Sequence, residues 1–406
     1  MDSLITAAAQ ALAKGNPLGA LKRIALREDA PALALRGIAM AQLGDLGKAK
    51  LLLRRAAKAF RPHEVVSRAR CVVAEAEIAL VSRDLTWPED ALKDARDILD
   101  THNDRLNAAH ARHLAVRRLL LIGKLDEAER DLRELDPEPL PPASRAAYEL
   151  AVAGIAMRRI HIQAARAAFM RAHAAALAAG IPALRAEVER AQRELDAPAA
   201  RLIARSEQTL VKLDEVETLL ASKAIVVDAC RLVLRNSETV VSLSRRPVLF
   251  MLARTLAEAW PEDASREDLL ARAFRAKHAD EAHRARLRVE MGRLRASLTA
   301  VAKVVATKRG FVFKPPQGRE IVVMVPPFED ENAAVLACLA DGEAWSSSAL
   351  AVALGASERT IQRALDGLAA AGKVQSCGKG RARQWTSPPV SGFTTSLLLP
   401  GPLPGV

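Results

Sequence analysis

Arginine dominates one stretch of the 406-residue chain. Between His283 and Arg319 stand ten Lys or Arg and a single acid, Glu290. Guanidinium groups bind phosphate oxygens and, in bidentate fashion, the O6/N7 edge of guanine. Arg284, Arg286, Arg288 and Arg293 fall in a segment of helical period. At about 100° per residue, Leu287, Met291, Leu294 and Leu298 form one apolar stripe. Arg286 and Arg293 align on the opposite face and Arg288 flanks them, while Ala285, Val289 and Gly292 keep its middle small. Small residues let a helix sit deep in a major groove while long arginines reach base edges and phosphates. Downstream, VVATKRGFVFKPP predicts a hairpin with Lys308 and Arg309 at its tip, placed to lie along the backbone or the flanking minor groove.

Charge over the whole chain supports the same chemistry. The net charge is +12, and residues 221–325 hold 20 Lys/Arg against 11 Asp/Glu, a net +9. The segments before and after carry +4 and −1. A localised basic patch is the electrostatic footprint of a nucleic-acid binder; the competing explanation is a generally Arg-rich composition.

Other chemistry is weakly supported. No GxSxG, HExxH or GxGxxG occurs. Gly372 to Gly378-Lys379 is one residue too long for a phosphate loop, and Gly380 replaces the required Ser or Thr. His110 and His113 share a helical face, with His102 upstream, but a metal would need a further ligand. Cys71, Cys230, Cys338 and Cys377 are far apart, so neither a zinc site nor a disulfide framework is indicated. The sequence therefore predicts no enzyme, no cofactor and no metal.

The elements that must position the arginines come next. Half of the residues are hydrophobic and only 3% aromatic, which favours close-packed helices over an all-β fold. No apolar run of about 20 residues is present, so no membrane span is expected. MDSLITAAAQALAKGNP lacks the basic flank of a signal peptide, and the expected location is the cytoplasm. Over residues 1–182 a helix–turn–helix pattern recurs, clearest in LALRGIAMAQLGDLGKAKLLLRRAAKA. There Gly37 marks a close helix contact and Gly44 and Gly47 a turn. The anchor alanines Ala20, Ala49, Ala91, Ala128 and Ala165 straddle a spacing of about 34 residues. The pattern resembles tetratricopeptide (TPR) repeats, which implies an α-solenoid. Such stacked pairs bind a peptide or protein partner or dimerise, or serve as a plain scaffold. Residues 183–222 read as a charged helical connector interrupted at Pro198.

Period changes at Ala224. AIVVDACRLVLRNSETVVSLS predicts two or three short strands, followed by helices in RRPVLFMLARTLAEAWP, in REDLLARAFR behind a Ser265 cap, and from Asp280 to Leu298. The closing hairpin completes an order that resembles the OmpR/PhoB-type winged helix-turn-helix over 223–318. RVEMGRLRASL followed by VVATKRGFVF is its specific part, with Arg293-Leu294-Arg295 and Gly310-Phe311 in the family's places. The resemblance implies a DNA-binding transcription regulator. No receiver-like βα alternation precedes it, so phosphorelay control is not expected. Regulators joining this domain to helical repeats generally put the winged helix first, and here the order is reversed.

Residues 326–388 resemble a generic winged helix of bacterial regulators. Ser357 caps ERTIQRALDGLAAAG; Ile361, Leu365 and Leu368 point inward, and Arg359, Thr360 and Arg363 outward. KVQSCGKGRARQWT predicts a hairpin whose Lys379, Arg381 and Arg383 could meet phosphates. Its competing role is dimerisation or protein contact. Residues 389–406 form a Pro/Gly-rich tail. The expected fold class is thus mainly α, a TPR-like solenoid followed by two small α+β winged-helix domains. The expected function is sequence-specific binding of double-stranded DNA by a homodimer that regulates transcription. The alternative is a TPR-type adaptor whose winged helices contact proteins.

Overall fold

Several helix starts in the first half of the chain are set by short polar side chains. In the computed structural model, Asp2, Asn16, Asp29, Asp45 and Asp104 each accept a hydrogen bond from a backbone N–H in the helix they precede. The structure describes residues 2–386 except 206, 244–245, 275–279, 317–318, 328–331, 340–343, 355, 379 and 381–382. The expected tail at 389–406 and the candidate contacts Lys379 and Arg381 lie outside the described residues. The fold is mainly helical, with sheet confined to its later part.

The chain divides into two units, and the first is built from two separate segments, 1–193 and 334–406. Its first segment contains α1 (Ser3–Ala13), α2 (Pro17–Ile24), α3 (Ala30–Gln42), α4 (Leu46–Ala59), α5 (Val65–Val81), α6 (Glu89–Thr101), α7 (Arg105–Leu121), α8 (Leu125–Arg133), α9 (Pro142–Arg159), α10 (Ile162–Ala179) and α11 (Pro182–Arg193). Successive helices pack on one another. Alanine permits the close approach: Ala20, Ala49, Ala128 and Ala165 are fully buried. A Cβ on Gly37 would stand 2.9 Å from Leu53 Cγ, so only glycine fits there without a shift. Ala91 departs from the expected pattern. It is half-buried at the start of α6, and Ala95, one turn later, is the buried alanine.

The second unit, Glu194–Ala333, begins with a correction. The stretch 183–222 is not a helical connector. After α11 comes a short 3-10 turn at Glu194–Asp196, then the hairpin β1 (Ala200–Ala204) and β2 (Glu207–Val211), and only then α12 (Leu213–Ala221). Pro198 stops the helix, Arg205 adopts a left-handed φ of 50° in the turn, and long-range pairing outweighs helix propensity. The unit continues with β3 (Ile225–Asp228), β4 (Val233–Arg235), β5 (Val240–Ser242), α13 (Pro247–Ala259), β6 (Ala264–Ser265), α14 (Arg266–Phe274), α15 (Glu281–Leu298), β7 (Lys303–Ala306), β8 (Gly310–Lys314) and β9 (Ile321–Val325).

One sheet has the order β2-β1-β9-β3-β4-β5, and a second has the order β6-β8-β7. β9 fell outside both expected domains, yet it is central. All five of its residues are buried, and it runs parallel to β3 and antiparallel to β1. Its continuous apolar run suits a strand covered on both faces. Between the sheets, Leu252 and Leu256 of α13, Leu269 of α14 and Leu287, Met291, Leu294 and Leu298 of α15 share a core with Phe311 and Phe313.

The first unit's later segment holds all but the first residue of α16 (Ala333–Leu339), then α17 (Ser347–Leu354), α18 (Glu358–Ala370), β10 (Gln375–Cys377) and β11 (Gln384–Thr386). Among the described residues it has no separate core. Leu339, Trp345, Leu350, Ile361, Leu365 and Trp385 belong to one apolar cluster with Val73 and Leu80 of α5, Leu92 and Leu99 of α6, and Leu114 of α7. Gln384 Nε2 donates to the Ser82 carbonyl at 3.2 Å, and the Arg83 guanidinium lies 4.9 Å from the Trp345 ring centre.

A polar row crosses this α5–α7 contact. Arg70 donates to Asp104 at 2.6 Å, Asn107 Nδ2 donates to both Asp104 oxygens, and His110 Nε2 is bonded to Glu77 Oε2 at 2.9 Å. His113 is buried with neither ring nitrogen bonded. Burial, reinforced by the charges of Arg117 and His110, holds its imidazole well below the ordinary range. The unfolded chain therefore takes up a proton that the folded one refuses. Stability is retained above about pH 6.5 and falls as the pH drops through that value. One such proton gives a slope of up to about 1.4 kcal/mol per pH unit. The urea midpoint of the first unit should fall from pH 7.5 to pH 5.5, and His113→Leu should flatten that fall. An equal fall in the variant would assign the acid sensitivity to other groups.

Candidate nucleic-acid interface

Asp280 starts α15 by accepting from the His283 N–H at 2.8 Å, and its carboxyl is held below the usual range chiefly by that backbone bond and by the His283 ring. The core stripe Leu287, Met291, Leu294 and Leu298 is buried, as its spacing requires. The opposite face is open: Ala285, Arg286, Arg288, Val289, Gly292 and Arg293 are all exposed, and so is Arg284.

The arginines are not loose. Arg288 reaches Glu281 at 2.7 Å and Arg284 approaches the same carboxylate at 3.8 Å. Arg293 pairs with Glu290 at 2.9 Å. Arg286 lies over the Phe274 ring at 4.8 Å. Arg295, though exposed, donates to the Val304 carbonyl at 2.9 Å and stacks near Phe311. It ties the helix to the following hairpin.

Lys308 and Arg309 are exposed on the turn joining β7 to β8, in the same unit as α15. The turn is braced by residues that local sequence pattern did not single out. Arg266 donates to the Lys308 carbonyl at 2.8 Å and to the Thr307 carbonyl at 3.2 Å. Thr307 Oγ1 donates to Asp263 at 2.5 Å and accepts from the Gly310 N–H at 2.9 Å. Arg266 and Asp263 lie some forty residues from the turn they hold, so no spacing rule reveals them. Gly310 is required by space: a Cβ there would fall 1.8 Å from the Ala264 carbonyl oxygen.

In the other unit, Ser357 caps α18 by accepting from the Thr360 N–H at 3.1 Å, and the Thr360 hydroxyl lies 2.8 Å from the Ser357 hydroxyl. Arg359 and Arg363 are exposed on that helix, together with Glu358 and Asp366. The face is therefore balanced in charge, unlike that of α15. Among the described residues no cluster of three or more His, Cys, Asp or Glu able to hold a metal occurs, at His110 and His113 or elsewhere. Among them, too, no helix is long and apolar enough to cross a membrane.

No protein-family model matches the chain, and no curated protein or solved structure does.

Proposed function

We propose that the protein is a cytoplasmic, sequence-specific DNA-binding regulator of transcription that grips duplex DNA through its second unit. In this reading α13–α15 and the β7–β8 hairpin form an OmpR/PhoB-type winged helix. α15 enters the major groove and the Lys308-Arg309 tip follows the backbone. The supporting observation is the exposed face of α15, lined by Arg286, Arg288 and Arg293, in the same unit as a braced basic hairpin. Two copies joined as a homodimer would read two half-sites. The helices α1–α11 act as a TPR-like array that dimerises or receives a peptide or protein signal.

Residues 334–386 take the adaptor role in this proposal. They resemble a second winged helix, but α18 offers two acids beside its two arginines and its core is continuous with α5–α7. Such a face suits protein contact better than a polyanion.

The experiment is selection of bound duplexes from a random library with the full-length protein, followed by titration across a salt series. A defined sequence should be enriched. Arg288→Ala/Arg293→Ala should weaken its binding by about a hundredfold or more, since each lost charge-assisted bond is worth about 1.5–3 kcal/mol. The slope of log affinity against log salt should flatten by up to about 2, near 0.9 per phosphate contact. Failure to enrich any duplex, or unchanged binding by the double variant, overturns the reading.

A further inference from the structure

Four of the five arginines of α15 are engaged at the flanks of the helix by Glu281, Phe274 and Glu290, and the fifth, Arg295, by the Val304 carbonyl. Arg284 and Arg288 lean on Glu281 along one edge, and Arg286 and Arg293 on Phe274 and Glu290 along the other. The centre of the exposed face, opposite Leu287, Met291, Leu294 and Leu298, is bare of charge. Ala282, Ala285, Val289, Gly292 and Ala296 follow there in alternating steps of three and four residues, and all five are exposed. Four are alanine or glycine. Val289, 54% exposed, is the only larger side chain in the row. Beside it, the space where a Gly292 side chain would stand has no heavy atom within 4 Å.

A half-exposed valine at the middle of a basic face gains nothing from the protein's own core. It gains if an apolar group is brought to it. Within a major groove the apolar group on offer is the C5 methyl of thymine; every other feature of the base edges is a hydrogen-bond donor or acceptor. The charge distribution fits the same ligand. Phosphates line both sides of the groove, and an arginine held at the helix edge can exchange its carboxylate for a phosphate without crossing the helix.

We propose that α15 reads its site chiefly by methyl contact. Val289, with the open notch at Gly292, receives a thymine C5 methyl, while Arg288 and Arg293 hold the flanking phosphates. This rests on the DNA-binding reading above and names what that site recognises. It differs from the expectation from the sequence, in which the long arginines reach base edges as well as phosphates.

The test uses the duplex enriched by the full-length protein. Each thymine is replaced in turn by deoxyuridine, which removes the methyl and keeps every hydrogen-bonding group. One or two positions per half-site should lose about fourfold in affinity, the worth of one buried methyl group. Val289→Ala should abolish that sensitivity at the same positions and bind the deoxyuridine duplex as the parent protein does. Since Val289 is outside the core, the variant should keep the parent's circular dichroism. If the enriched duplex is bound but no deoxyuridine position matters, the proposal fails while DNA binding stands. Equal weakening on thymine and deoxyuridine duplexes by Val289→Ala also overturns it. If no duplex is enriched at all, DNA binding fails with it, and the apolar row belongs to a protein partner.

Discussion

Trp385→Ala should destabilise the N-terminal helices, although it lies more than 190 residues beyond the end of α11. Trp385 is 1% exposed and shares its apolar cluster with Val73, Leu80, Leu99 and Leu114. Its backbone exchanges two hydrogen bonds of 2.7 Å with Trp345, whose ring carries the Arg83 guanidinium. Removing an indole from such a site leaves a cavity between α5–α7 and the later helices. The expected loss is about 3–5 kcal/mol. Urea unfolding followed by helical circular dichroism should show the α1–α11 signal melting earlier, while hydrogen exchange in β3, β9 and α13 stays as in the parent. If α5–α7 keep their protection in the variant, residues 334–386 are not part of the array's stability.

Gly310→Ala should have a comparable effect on the second unit. The added Cβ would meet the Ala264 carbonyl oxygen, a backbone atom fixed by pairing of β6 with β8. No rotamer change relieves that clash, so β8 must move. The movement carries Phe311 and Phe313 with it, both buried against α13–α15. Overpacking of this kind costs about 3 kcal/mol or more when the neighbour cannot yield. Amide exchange should rise across β6–β8, and DNA binding should weaken with the hairpin detached. Parent-like exchange would show that the strand can shift without loss.

What could be read from the sequence was what local period and capping determine. The stripe Leu287–Leu298, the Ser265 and Ser357 caps and the Lys308-Arg309 turn depend on residues at most a few positions apart, and the structure has them. What could not be read depends on distant partners. β1 is a strand because Arg201–Ile203 face Val323–Val325 across more than 120 residues, and nothing in ARLIA announces that pairing. Residues 326–388 read as a small separate domain, since the α5–α7 surface that Trp345 and Trp385 cover lies in the first third of the chain. The arginine face was legible as composition. Its engagement was not, because Phe274 comes from the preceding helix and Glu281 sits just outside the basic run.

The division of the first unit into two segments has a consequence in time. The ribosome completes Leu114 about 230 residues before it reaches Trp345. At about 5–20 residues per second, the apolar flank of α5–α7 waits roughly 10–45 s for its cover. The whole of the second unit is synthesised during that interval and is free to fold first. The nascent chain thus passes through a stage in which the second unit is being completed while the helical array is still uncovered. That stage, more than the mature protein, is where chaperone contact or aggregation should concentrate.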